Sequence, residues 1–243
     1  MQQTVKTGFT IIEVLLFLSI SSLMAVVLFI GTSAAIQREQ YRDAVQSFAG
    51  FLQDQYGRVI NVENDRTRQA CMLDASGTVS ERGQSDCVIV GRYIETVGSE
   101  DATDGGEYSA YSVYAKKGVN GWEYTRDSTP DVIYALNWSA KTRLADASAD
   151  NSHSAIIMYR DPDSGSLAIR ASTERYSEDE VGNFVENKYR DGTSIPADLQ
   201  APQKEVCVYD DGWMTGQRMS VFLGQLAGSS DAVTVKFAEG CER

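Results

Sequence analysis

The chain has 243 residues, 42% hydrophobic and 23% charged, with a formal net charge of −12. That is enough for one moderate domain plus an extra element, at a composition ordinary for a folded protein. The negative charge repels polyanions on average, so nucleic-acid binding by the bulk surface is disfavoured; a local cluster such as Arg58, Arg66 and Arg68 reads as ordinary solvated charge.

Ile11 to Ile30 are apolar except for Glu13, Ser19, Ser21 and Ser22. A helical run of about 20 such residues spans a bilayer core. Lys6 precedes the run and Arg38 and Arg42 follow it, a balance that leaves orientation unassigned. Thr32 to Ala35 would suit the cleavage site of a secretory signal peptide. A simple signal anchor is the other common reading. Neither explains Glu13, because a carboxylate in hydrocarbon costs about 3 kcal/mol even on the lower scales and is normally kept for a partner.

The stretch Lys6-Thr7-Gly8-Phe9-Thr10-Ile11-Ile12-Glu13-Val14 resembles the type IV prepilin signature. In that family a short polar leader ends in Gly, the mature chain starts with Phe, and an acidic residue follows four positions on, inside an apolar helix. Gly8, Phe9 and Glu13 all match. The resemblance covers about the first sixty residues. It implies a leader over 1–8, cleaved after Gly8 by a prepilin peptidase, and N-methylation of Phe9. It implies a pilin helix over 9–61 with its transmembrane segment at about 11–30, and an exported domain over 62–243. Glu13 would be the assembly residue, neutralising the positive N-terminus of Phe9 in a neighbouring subunit. The expected partners are the peptidase, the membrane and other pilin subunits, and no cofactor is implied. The expected place is the inner or cytoplasmic membrane, single-pass, leading to a periplasmic or cell-surface filament. One departure stands out: the proline many major pilins carry about two dozen residues into the helix is absent, with Ile30 and Gly31 there and the first proline at Pro130.

After Ala35 the pattern turns amphipathic. Tyr41, Val45, Phe48, Leu52, Val59 and Ile60 recur at helical spacings between polar residues such as Arg42, Asp43, Gln46, Gln53 and Asp54. This predicts a helix to about Ile60 with one buried stripe against a sheet. Beyond Asn61 the period changes to short strand-like runs: 88–93, 108–115, 132–136, 155–159, 167–171, 205–209, 220–223 and 233–237. Asp161-Pro162-Asp163-Ser164-Gly165 predicts a hairpin turn. Ser177 and Glu180 have capping-box spacing for a short helix toward Lys188. The segments 98–107 and 190–203 read as exposed loops. The predicted class is α+β, a long N-terminal helix packed on an antiparallel β-sheet domain.

Cys71, Cys87, Cys207 and Cys241 lack C-x-x-C spacing. An even count in an exported domain fits two disulfides, and of the three connectivities the short-loop pairs Cys71–Cys87 and Cys207–Cys241 are favoured; four buried thiols are the alternative. The single histidine, His153, reads as a loop or strand-edge residue, since no G-x-S-x-G or phosphate-loop motif accompanies it. Asp161 and Asp163 resemble the start of a calcium loop without the glutamate an EF-hand needs, and Glu100, Asp101, Asp104 and Glu107 form another oxygen-rich loop; turn chemistry explains both better. Asn137-Trp138-Ser139 matches a glycosylation sequon, a frequent chance event. The expected function is structural, as a minor pilin or pseudopilin of a type IV pilus or a secretion or DNA-uptake filament. The alternatives are an exported binding or adhesion domain on a simple anchor, and an anchored hydrolase lacking a recognisable catalytic constellation.

Overall fold

The computed structural model describes residues 10–61, 87–97, 105–119, 121–147, 153–195, 203–209, 218–224 and 232–241. The architecture is α+β: helix α1 (Ile11–Ile60) precedes ten strands and the short helix α2 (Val181–Val185) among the described residues. The chain divides into two compact units, Met1–Gln40 and Tyr41–Arg243.

In the first unit, residues 11–33 of α1 all expose their side chains, including Phe17, Leu23 and Phe29. The helix is long and apolar enough to cross a membrane. Three of its hydroxyls bond to the helix's own backbone: Ser19 Oγ donates to Leu16 O at 2.9 Å and Ser33 Oγ to Phe29 O at 2.8 Å. Thr32 Oγ1 does the same to Leu28 O at 3.0 Å. Such internal bonds leave little polar surface unsatisfied in hydrocarbon.

In the second unit, the rest of α1 buries Tyr41, Ala44, Val45, Phe48, Phe51, Leu52, Tyr56 and Val59. Each large side chain contributes about 1.5–3 kcal/mol by leaving water. The stripe is wider than its periodic skeleton, and it ends sooner. Ile60 stays 39% exposed, because neighbouring positions on a helix diverge and Val59 takes the covered side.

Six strands form one antiparallel sheet, ordered β3 (Gly121–Arg126), β2 (Glu107–Gly118), β1 (Cys87–Thr96), β6 (Ala155–Arg160) and β7 (Leu167–Ser172), with β4 (Val132–Ala135) also on β2. Four form a second: β10 (Val233–Phe237), β9 (Met219–Gly224), β8 (Gln203–Tyr209) and β5 (Lys141–Leu144). All eight strand-like runs of the sequence are strands. β3 and β5 are additional. β3 alternates exposed and half-covered residues, and β5 carries two cations in four positions, so neither shows an apolar run.

The main core lies between α1, one face of the six-stranded sheet (Ile94, Ile156, Met158, Ile169) and the inner face of the four-stranded sheet (Val206, Val208, Val221, Val233). A second core, with Tyr93, Ile157, Tyr176 and Phe184, fills the other face of the six-stranded sheet beneath α2. The Tyr41 hydroxyl ties α1 to the second sheet, accepting from Met219 N at 2.8 Å and donating to Met219 O at 2.9 Å. The sheets meet at Gly105, whose carbonyl accepts from Thr142 N at 3.0 Å and Thr142 Oγ1 at 2.8 Å. A Cβ on Gly105 would collide with the Thr142 backbone.

The hairpin between β6 and β7 forms as expected. Asp161 N donates to Ser166 O at 2.8 Å, and Gly165 takes φ +70, a left-handed conformation cheap only for glycine. The Ser177–Glu180 pair closes half of its capping box: Glu180 Oε2 accepts from Ser177 N at 2.9 Å. The helix it introduces is shorter than expected, ending at Val185.

Candidate functional site

The assembly residue proposed from the sequence, Glu13, sits in the first turn of α1. Gly8 and Phe9 lie outside the described residues. Glu13 N donates to Thr10 O at 3.1 Å and approaches Thr10 Oγ1 at 3.4 Å. Thr10 and Glu13 thus have capping-box spacing, and a carboxylate in the first turn also complements the helix dipole. This local role was not read from the sequence. Glu13 is nevertheless the one ionisable side chain between Ile11 and Gln37, and the apolar residues around it, from Ile11 to Ile30, are exposed.

The other candidates resolve into fold-holding groups. His153 lines an open cavity of about 480 Å³ with Thr173, Arg175, Tyr189 and Arg190. Its Nδ1 lies 2.9 Å from Thr96 Oγ1. Burial, then the Arg175 charge, lowers its pKa to about 4, so the ring is neutral at pH 7. The Thr96 hydroxyl is buried and accepts from Ser154 N at 3.1 Å, which leaves it poorly placed to meet a substrate.

Asp161 Oδ1 accepts from Asp163 N at 3.1 Å, Ser164 N at 2.7 Å and Ser164 Oγ at 2.9 Å. These bonds, led by the Ser164 amide, hold its carboxyl below the usual range. The oxygen is engaged by its own turn, as the turn chemistry of the sequence implies; Asp163 is exposed beside it. Of the other acidic loop, Glu107 is exposed, while Glu100, Asp101 and Asp104 lie outside the described residues. Glu205, Cys207 and Cys241 converge closely enough to suggest a metal site, but the sulfurs are joined to each other. The Cys207–Cys241 disulfide is present, as the short-loop pairing anticipates. The Cys71–Cys87 pairing falls partly on Cys71, which lies outside the described residues.

Arg58 pairs with Asp54 at 3.2 Å; Arg66 and Arg68 are outside the described residues. Within the sequon, Asn137 Nδ2 and Trp138 Nε1 both donate to Asp43 Oδ2, at 3.1 and 2.9 Å. Trp138 and Ser139 adopt φ of 60 and 55, which costs energy for side chains of this kind. Asp43 on α1 therefore pins a strained turn that sequence reading missed.

Two buried ionic groups also escaped sequence reading. Arg92, 4% exposed, donates from Nε to Gln55 Oε1 at 3.0 Å, and from Nη1 to Ser112 Oγ at 2.7 Å and Asp131 Oδ2 at 2.5 Å. Glu95, on the opposite face, lies 3.5 Å from Arg126 and 3.4 Å from Arg175. Both sit in β1, where adjacent residues point to opposite covered faces. No protein family, characterised protein or solved structure matches this chain.

Proposed function

We propose that the chain is a structural subunit, a minor pilin or pseudopilin, of a type IV pilin-like filament. In this reading a prepilin peptidase cuts after Gly8, Phe9 becomes the methylated N-terminus, and the subunit waits in the inner membrane before entering a filament with other pilin subunits. The carrying observation is Glu13, the one carboxylate between Ile11 and Gln37 of a helix long and apolar enough to cross a membrane. A buried charge is tolerable when paired, and the amine of a neighbour's Phe9 would supply the pair.

The simple-anchor reading, with an exported binding or adhesion domain, draws on the place of Glu13 in the first turn of α1. A carboxylate there complements the helix dipole without a neighbour.

Glu13→Gln separates the two. Glutamine keeps the size of the side chain and the Glu13 backbone bond to Thr10, so an anchor tolerates it, losing at most about 1 kcal/mol of dipole interaction. In a filament the variant leaves the neighbour's amine uncompensated, at about 3–5 kcal/mol. The expected result is normal cleavage and insertion with strongly reduced recovery in sheared filaments. Glu13→Val should behave alike. Equal filament recovery of Glu13→Gln and wild type would refute the assembly role. Gly8→Val should leave a full-length precursor by mass spectrometry of the N-terminus; normal processing would refute the prepilin reading.

A further inference from the structure

The tail beyond β10 turns back over the four-stranded sheet. Ala238 N donates to Arg218 O at 2.9 Å, continuing the β10–β9 ladder, and Cys241 then reaches Cys207 on β8. Val206, Val208, Val221 and Val233 are in the main core, so alternation puts Glu205, Cys207 and Ser220 on the other side of the sheet, beneath this tail. Cys207 and Ser220 are fully buried there, and Glu205 and Cys241 are half-buried.

The tail itself aims Glu205. Its Oε1 accepts from Glu239 N at 2.9 Å and its Oε2 from Gly240 N at 2.7 Å. Oε1 also lies 3.2 Å from Cys241 Sγ. In the bridge that sulfur carries no hydrogen, so two electron-rich atoms face each other with no proton between them. The Ser220 hydroxyl, 3.0 Å from the same sulfur, donates to it. One carboxylate oxygen and both sulfurs lie within 4.8 Å of one another.

Reduction changes what this cluster can hold. A dithiol delivers two electrons and two protons to the bridge and is itself oxidised to a disulfide, leaving Cys207 and Cys241 as thiols. The Cα atoms, 5.7 Å apart, let both sulfurs reach one ion at the zinc–sulfur distance of about 2.3 Å. Binding displaces the two thiol protons to solvent. Two thiolates and a carboxylate exceed a divalent cation by one negative charge. Arg143 pairs across from Cys207, close enough to offset that charge and to favour the thiolate. Ser220 supports the Cys241 sulfur as outer partners support metal ligands. Thiolate sulfur selects zinc over calcium or magnesium, and three protein ligands with water in the fourth position make a tetrahedral set.

We propose that Glu205, Cys207 and Cys241 form a zinc site when the Cys207–Cys241 bridge is reduced. Metal and bridge are alternative locks on one tail, since either fixes residue 241 against β8. A newly made chain would hold its C-terminus with zinc until a disulfide oxidant removes two electrons and releases the ion. The inference does not depend on the filament reading.

The test uses the full chain in detergent, reduced with a phosphine under nitrogen and titrated with cobalt(II) alone as a coloured stand-in for zinc. The expected result is sulfur-to-cobalt charge-transfer absorption that saturates at one ion per chain, is bleached by zinc(II), and is absent from the unreduced chain. Cys241→Ser should remove this absorption, and Cys87→Ser should keep it, which separates the site from the other cysteine pair. Glu205→Gln should weaken cobalt binding about a hundredfold, and Ser220→Ala about tenfold. Zinc should also return most of the Tm lost on reduction in wild type, but not in Glu205→Gln, whose near-ultraviolet dichroism before reduction certifies its fold. Equal binding to the unreduced chain, absorption that follows Cys87 instead of Cys241, or unchanged affinity in Glu205→Gln would each overturn the proposal. So would a reduced wild-type chain whose Tm zinc leaves unmoved.

Discussion

Arg92 and Asp131 form an ion pair with unequal partners. The Arg92 side chain is 4% exposed and that of Asp131 33%. Replacing Arg92 by methionine removes the charge together with its desolvation cost, including that of an Nη2 without a hydrogen-bond partner. Asp131 keeps its bond from Ser112 Oγ at 2.7 Å and regains water. What is stranded is Gln55 Oε1, on a residue 1% exposed, at about 1–3 kcal/mol. Replacing Asp131 by alanine instead leaves a guanidinium buried beside no counter-charge, at about 3–5 kcal/mol. Thermal unfolding of the full chain in detergent, followed by near-ultraviolet dichroism of the tyrosines, should rank Asp131→Ala below Arg92→Met. At about 2–4 °C per kcal/mol for a domain of this size, the gap should be several degrees. An equal or reversed ranking would refute the reasoning that burial of the surviving charge decides the cost.

Three further outcomes follow from the same structure. Removing the Cys207–Cys241 bridge, which closes a sequence separation of 34, should cost about 3–4 kcal/mol on the loop-entropy estimate, and reductant should reproduce the loss in wild type. His153 has its folded pKa lowered to about 4 against an unfolded value of about 6.5. Its contribution is therefore complete above about pH 6.5 and is lost as pH falls toward 4. Discounted for solvent access, it should be about 1–2 kcal/mol, visible as a shallower pH dependence of Tm in His153→Gln. Gly105→Ala should displace the Thr142 backbone and loosen the seam between the sheets, lowering Tm by several degrees at about 2–4 °C per kcal/mol; an unchanged Tm would show that the seam yields freely.

The sequence by itself determined what depends on local order. A long, mostly apolar run sets the membrane-length helix, a 3.6-residue period sets the buried stripe from Tyr41 to Val59, and short strand-like runs set eight of the strands. Turn chemistry at Asp161–Gly165 set a hairpin, because those residues satisfy their own backbone. The Cys207–Cys241 pairing was legible because its partners close a short loop. Only the tertiary structure decided which distant residues share a face. Lys141, Arg143 and Lys236 are scattered through an acidic chain, and strand register aligns them on one side of the four-stranded sheet. Arg92 and Glu95 look like surface charges, until a sheet covered on both faces buries them on opposite sides. Such groupings depend on contacts between residues far apart in the chain, where no local pattern records them.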